Sequence, residues 1–362
     1  DRIVDYRPSD LVVVVEAGIT VRRLQEELGK NGQRLAFDPP FPHTTTIGGA
    51  LASNAVGPLR NSYGGVRDLV IGMSVVQADG TVTKSGGGVV KNVTGYDMAR
   101  LHIGAFGTLG AIATVAFKIG PVPLARRTVA AWFDSVESAA GAGMRIINGA
   151  FMPEAITIIA GWRAASHASL LATQISGQLG DASTDTDGCA VLLLVGLASG
   201  PATVERQVND TTSTLGGAMA DGYAVLDDEA QAAAWTLATE PVPSPMLTVR
   251  STLKPSSAFD LVNMLLDMAG PHEIHIVGHV GFGTVEAHWL TDAGPARGLI
   301  SSARKATEEL GGVLTIERCP TEQKADLDVF GEIGAPLDVM RRMKQQFDPD
   351  GNLSPGRFAG RI

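Results

Sequence analysis

Three groups of residues in this chain are spaced for chemistry. The first is the run Pro39-Pro40-Phe41-Pro42-His43-Thr44-Thr45-Thr46-Ile47-Gly48-Gly49-Ala50-Leu51-Ala52-Ser53-Asn54-Ala55-Val56-Gly57. Prolines stiffen its start, a Gly-Gly pair follows three threonines, and small residues follow the pair. Glycines let peptide N–H groups approach a phosphate, a helix N-terminus adds partial positive charge, and small side chains leave room for a flat ring. A tight turn into a small-residue helix accounts for the same pattern. His43 in this run is either a proton carrier or a plain loop residue. The second group is His272, His275, His279 and His288 with Arg250, Lys254, Glu317 and Arg318. Even spacing puts His275 with His279, and Arg250 with Lys254, on single strand faces. Proton transfer and the holding of an anion are the chemistries open to them; packed or solvated histidines and a plain ion pair are the alternatives. The third group is the terminal turn Phe347-Asp348-Pro349-Asp350-Gly351-Asn352-Leu353-Ser354-Pro355-Gly356-Arg357-Phe358, bracketed by two prolines as a turn that docks against another part of the chain.

Composition narrows the function classes. The 362 residues suggest about two domains, and a 44% hydrophobic fraction supports substantial cores. A formal net charge of −9 argues against nucleic acid and against an anionic membrane surface as partners. Two cysteines, Cys189 and Cys319, without a Cys-x-x-Cys pair argue against a disulfide framework, an iron–sulfur cluster or a structural zinc site, and for a reducing compartment. No apolar run reaches membrane-span length, and the first residues do not read as a signal peptide. Gly104, Gly107 and Gly110 do not make Gly-x-Gly-x-x-Gly, and there is no phosphate-loop motif.

The elements that must carry these groups follow from periodicity. A β-branched run from Leu11 predicts a buried strand, and Thr20 caps a helix with Val21, Leu24 and Leu28 on one face. Leu69–Gln77 and Thr81–Thr83 read as strands around an Asp79-Gly80 turn. Gly86-Gly87-Gly88 is a break, Thr94–Leu101 one or two helical turns, and Ala111–Ile119 a strand ending at Pro121 and Pro123. From Leu124 strands and helices alternate: strands at 128–133, 155–159, 190–197, 246–253, 274–279, 284–289 and 313–319, helices at 135–147, 201–215, 227–238, 256–268 and 295–310. Gly180–Gly188 reads as a surface loop, and Leu337–Phe347 as a basic helix. The fold class is α+β on antiparallel sheet.

The ordered set Thr46–Gly57, Tyr63-Gly64 with Asp68, Val75–Gly80, Gly95-Tyr96-Asp97, Gly107–Ile112 and Phe347–Gly356 resembles the flavoproteins of the vanillyl-alcohol oxidase and p-cresol methylhydroxylase type. The likeness is strongest to the E subunit of bacterial glycolate oxidases. It implies a two-subdomain FAD-binding domain over residues 1–123, an antiparallel-sheet cap domain with helices on one side over 124–334, and a segment over 335–362 that returns to the FAD domain. The family's first Gly-rich loop is expected ahead of Asp1, so the FAD domain reads as N-terminally incomplete. The resemblance further implies non-covalent FAD, since no histidine stands at the usual attachment position. It implies a larger catalytic flavin subunit and an iron–sulfur subunit as partners, a small 2-hydroxyacid as substrate, and a cytoplasmic location or the inner face of a membrane reached through partners.

Site residues follow from the resemblance position by position. Pro40, Thr45, Thr46, Ile47, Gly48 and Gly49 look like pyrophosphate and flavin-edge contacts, and Ser53, Asn54 and Gly57 like the wall beside the isoalloxazine. Gly107, Thr108, Gly110 and Ile112 look like the adenine-side loop and strand, with Phe106 where an acid is common. Asn352, Pro355 and Gly356 look like the returning segment near the ribityl chain and ring. On the substrate side, relatives carry His-x-Gly-Asp-Gly-Asn-x-His and a later Glu-His. This chain has His279-Val280-Gly281-Phe282-Gly283-Thr284, with His288 displaced, and Glu317-Arg318. His279, Glu317 and Arg318 are therefore the catalytic candidates, and no metal is expected. A self-sufficient FAD-dependent D-2-hydroxyacid (D-lactate) dehydrogenase and a non-catalytic scaffold that has lost flavin are the competing readings.

Overall fold

The computed structural model describes residues 1–87, 97–151, 153–161, 164, 191–218, 220–226, 228–240, 245–269, 274–289, 296–324 and 327–362. Gly88, the Gly95-Tyr96 motif, the Gly180–Gly188 loop, Cys189 and His272 lie outside the described residues. The chain divides into two compact units, Asp1–Val122 with Glu332–Ile362, and Pro123–Gly331.

The first unit holds β1 (Ile3–Arg7), β2 (Val12–Glu16), β3 (Gln33–Arg34), β4 (Val70–Val76), β5 (Val82–Gly86), β6 (Ala111–Lys118) and β7 (Gly120–Pro121). Five form an antiparallel sheet in the order β1-β2-β6-β4-β5, and β3 pairs with β7. Val13 and Val15 point to the core, as the period of two requires. Over them lies the Val21–Gly29 helix, which starts where the Thr20 side chain accepts the Arg23 amide. Its Val21, Leu24 and Leu28 are buried at helical spacing. Burying one such leucine is worth about 1.5–3 kcal/mol. Gly80 takes a φ of 84° in the turn between β4 and β5. Strand β1 has no counterpart in the sequence reading: Ile3-Val4-Asp5-Tyr6 is too short and polar to announce itself, and pairing with β2 makes it a strand.

The second unit is one eight-stranded antiparallel sheet. Its strands are β8 (Ala125–Phe133), β9 (Ala155–Gly161), β10 (Val191–Ser199), β11 (Gly222–Leu226), β12 (Leu247–Thr252), β13 (Ile274–His279), β14 (Thr284–Trp289) and β15 (Val313–Arg318). The order is β11-β8-β10-β9-β13-β14-β12-β15. The helices Val136–Ile147, Pro201–Gly217, Ala258–Ala269 and Ala296–Glu309 cover one face, burying Ile158, Ile276, Ala287, Val249 and Ile316 among others. A fifth helix, Asp228–Thr239, lies on the other face under β11, β8, β10 and β9, where Leu237 packs with Trp132, Ile159 and Leu194. Trp235 anchors it by donating its indole N–H to Thr128 Oγ1 at 2.8 Å. Beyond the fifth helix, the same face carries the polar residues of β13, β14, β12 and β15. Strand β11 is another element missing from the sequence reading, being five residues with two alanine- or glycine-sized positions. Lys254 does not share a strand with Arg250, because β12 ends at Thr252 and Lys254 is exposed beyond it.

Candidate functional site

In the first unit three segments meet. Thr46 caps the Ile47–Ala52 helix, its hydroxyl accepting from the Gly49 amide at 3.2 Å. The other early amides of that helix are also taken: Ile47 donates to the Ile19 carbonyl at 2.9 Å and Gly48 to the Ala17 carbonyl at 2.8 Å. The helix start therefore spends its donors on protein. The phosphate grip suggested by the Gly-Gly sequence is not supplied by these three amides. Gly48 and Gly57 are small for packing reasons: a Cβ would lie 2.8 Å from Ala17 Cβ at Gly48, and 1.8 Å from the Asp38 carbonyl oxygen at Gly57. Gly49 differs. It is exposed, and a Cβ there would meet only Thr46 Oγ1, at 3.1 Å.

The Gly104–Gly110 loop is sewn to the end of that helix. Gly104 donates to the Leu51 carbonyl at 2.9 Å and Phe106 to the Ala52 carbonyl at 2.8 Å. The buried Thr108 hydroxyl donates to the Ala105 carbonyl at 2.7 Å. The terminal turn then closes on the loop: the Phe106 and Phe358 ring centroids are 6.1 Å apart, and a Cβ on Gly107 would lie 3.3 Å from Ser354 Oγ. Asn54, Phe106 and Ser354 have φ of 49°, 52° and 42°, beside Gly107 at 73°. Left-handed non-glycine residues cost on the order of 1–3 kcal/mol each and gather at functional sites.

Placement of the remaining candidates is plain. Thr45 Oγ1 donates to the Pro40 carbonyl at 2.7 Å, and Ser53 Oγ to the Gly49 carbonyl at 2.9 Å. Asn54, Asn352, Pro355 and Gly356 are exposed, Ile112 is half-buried on β6, and Gly110 is buried with Val75 where its Cβ would be. His43 is exposed, with Arg22 Nη1 2.6 Å from its Nε2. Gly49 and Asn54 are exposed, Phe106, Gly107 and Ser354 are half-buried beside them, and the buried charge at the loop and turn is internally paired, as Lys344 with Asp348. That surface fits the rings of FAD; it leaves the pyrophosphate grip to groups other than the start of the Ile47–Ala52 helix.

The second unit offers a buried polar sheet face. His275 pairs across the ladder with His288, and Glu286 with Arg250 on the next strand. The His275 and His288 rings stack with centroids 6.0 Å apart. His279 Nδ1 lies 3.0 Å from Thr157 Oγ1, and its ring stacks on Phe282. His288 Nδ1 lies 3.1 Å from Thr248 Oγ1, while its Nε2, 3.9 Å from Glu286 Oε2, has no hydrogen-bond partner among the described residues. Arg250 Nη2 holds Glu317 Oε1 at 2.9 Å. Register steps between Thr248 and Val249, so Glu317 and Arg318 bulge from β15, and Arg318 is exposed.

Burial sets the titration of this face. Glu286 is pushed up to about 7, first by desolvation, with Glu317 adding to the rise and Arg250 opposing it. Desolvation pulls His279 and His288 down to about 4 each. Both imidazoles are therefore neutral at physiological pH. Glu286 is the residue that sequence reading missed. Its alternation with His288 on an otherwise apolar strand was the available signal.

Comparison with known proteins agrees with this architecture. The profile of the FAD binding domain family matches residues 1–86, and that of the FAD linked oxidases C-terminal domain matches residues 122–358. Glycolate oxidase subunit GlcD of Bacillus subtilis is 27% identical over 374 residues, covering 99% of this chain and 77% of that protein. Glycolate oxidase subunit GlcE of Escherichia coli is 37% identical over 124 residues, 34% of this chain and 35% of that protein. D-lactate dehydrogenase of Archaeoglobus fulgidus is 25% identical over 363 residues, 97% of this chain and 78% of that protein. Among solved structures, an alkyldihydroxyacetonephosphate synthase superposes with a TM-score of 0.67 at 16% identity. That likeness, which is one of fold, covers 97% of this chain and 64% of the synthase chain. With an FAD binding domain followed by an FAD-oxidase C-terminal domain, the chain belongs to the FAD-linked oxidases, flavoproteins of the vanillyl-alcohol oxidase and p-cresol methylhydroxylase type.

Proposed function

We propose that this FAD-linked oxidase is the FAD-binding subunit of a glycolate (2-hydroxyacid) oxidase complex, in which glycolate is oxidised to glyoxylate and electrons pass to an iron–sulfur partner. One observation carries the reading: the flavin-type segments of the first unit converge, whereas on the cap sheet Glu317 is already committed to Arg250. The likeness to glycolate oxidase subunits supports it. Non-covalent FAD would rest on Gly49, Ser53 and Asn54, with Thr108 and Ile112 on the adenine side and Asn352, Pro355 and Gly356 along the returning turn. When bound, FAD supplies the acceptor for a hydride leaving the α-carbon of the acid. His279 is neutral, and in the tautomer whose Nδ1–H donates to Thr157 Oγ1 its Nε2 carries the lone pair that would take the hydroxyl proton. Arg318, exposed beside the Arg250–Glu317 pair, would draw in the substrate carboxylate.

A second reading has its own support. Alignment with the Archaeoglobus D-lactate dehydrogenase runs along nearly the whole chain, and the cap sheet carries buried His275, His279, Glu286 and His288 beside the half-buried Arg250. On that reading the chain is a self-sufficient D-2-hydroxyacid dehydrogenase. The full chain should be titrated with FAD, then given glycolate or D-lactate with a dye acceptor, alone and with partner subunits. Stoichiometric flavin with turnover only in the complex is the expected result. Turnover by the lone chain favours the second reading, and a colourless chain that cannot be reconstituted favours a scaffold.

A further inference from the structure

Lys344 stands near the end of the Pro336–Phe347 helix with its side chain only 13% exposed. An ammonium has three N–H donors and no acceptor. Here each donor has its own acceptor: the Thr108 carbonyl at 2.9 Å, the Leu353 carbonyl at 2.8 Å and Asp348 Oδ2 at 2.5 Å. Thr108 belongs to the Gly104–Gly110 loop and Leu353 to the terminal turn. Asp348 is fully covered and also accepts the amides of Asn352 at 2.9 Å and Leu353 at 2.7 Å. Burial raises its carboxyl, but Lys344 and those two amides outweigh burial and leave it below its ordinary value. The loop is fixed on its far side to Leu51 and Ala52, so one continuous set of hydrogen bonds runs from the Ile47–Ala52 helix through Lys344 into the turn.

We propose that Lys344 is a positioning residue for the dinucleotide site: its three-way bridge sets the adenine-side Gly104–Gly110 loop and the ribityl-side Asn352–Gly356 turn at the spacing that one FAD spans. The proposal rests on the FAD placement given above. No neutral side chain of similar length offers three donors at one point, and arginine spreads its donors in a plane. Removing the cation also strands the buried Asp348, so the paired variant K344M/D348N is needed beside K344M.

Two measurements on the full chain test this. In hydrogen exchange, K344M and K344M/D348N should deprotect the amides of Gly104–Gly110 and of Asn352–Gly356 together, leaving β2, β6 and β4 unchanged. In binding titrations, both variants should lose about tenfold or more in affinity for FAD and less than about threefold for ADP and for FMN, each of which meets only one of the two segments, with K344R recovering part of the loss. Deprotection confined to the turn, an unchanged FAD affinity, or losses for FMN and ADP as large as that for FAD would each overturn the proposal, the last because a merely structural lysine weakens every ligand alike. A wild-type chain that binds neither FAD nor ADP refutes the FAD placement itself. The exchange comparison then still decides whether Lys344 couples loop and turn.

Discussion

At the residue scale, two glycines of one loop have opposite reasons to be small. Gly57 faces the Asp38 carbonyl with no room for a Cβ, whereas Gly49 is exposed and faces only Thr46. Gly49→Val is therefore expected to block FAD, with the melting temperature of the unliganded chain changed by no more than a few degrees. Gly57→Ala is expected to destabilise the chain by about 1–3 kcal/mol or more through overpacking, with or without cofactor. Titration and thermal melting separate the two, and retained flavin in the valine variant would remove Gly49 from the site. Glu286 gives a pH prediction. Its folded pKa of about 7 lies above the unfolded value of 4.5, so its contribution is complete below pH 4.5 and is lost as pH rises through 7. His279 and His288, at about 4 in the fold against 6.5 unfolded, act the other way and cost stability as pH falls from 6.5 towards 4. Glu286→Gln should remove the alkaline loss, leaving the variant about 1–3 kcal/mol better than wild type near pH 9 relative to their difference near pH 5. Parallel pH dependences for the two proteins would show that Glu286 ionises freely.

Among the elements, the Ile47–Ala52 helix is the most informative. It has only six residues and cannot stand by propensity. Its cap, the buried Ile47, Ala50 and Leu51, and the amide bonds to Ile19 and Ala17 hold it in place. Thr46→Ala should cost about 1 kcal/mol in a urea titration, the ordinary worth of a cap. It would also free the Gly49 amide, so its effect on FAD affinity reports whether that donor matters to a phosphate. The β13–β14 hairpin shows how periodicity is read by the fold: one face is Ile274, Ile276, Val285, Ala287 and Trp289 in the core, and the other is His275, His279, Glu286 and His288. The sequence reading found the hairpin and the His275–His279 face. Glu286 escaped it because alternation assigns a residue to a face without saying whether that face is wet.

On the scale of the whole molecule, two compact units predict two unfolding events rather than one. FAD that binds the Asp1–Val122 and Glu332–Ile362 unit should raise one transition in calorimetry, by mass action, and leave the other within about a degree. Equal shifts of both would mean that the cofactor is held by residues of both units. Much of this organisation is written locally. The β-branched run at Val12–Val15, the Thr20 and Thr46 caps, the Asp79-Gly80 turn and the proline-bracketed tail each specify their own backbone, because dihedral preference, capping and period act within a few residues. The ordered family segments specify the flavoprotein type for the same reason. What only the tertiary structure decided are the quantities that depend on chain-distant neighbours: the Arg250–Glu317 pair, the near-neutral Glu286, the helix-start amides spent on Ile19 and Ala17, and the Lys344 bridge from Thr108 to Leu353. Desolvation and hydrogen-bond partnership arise when strands and loops far apart in sequence close on one another, and residue order alone carries no record of which charges that closure buries together.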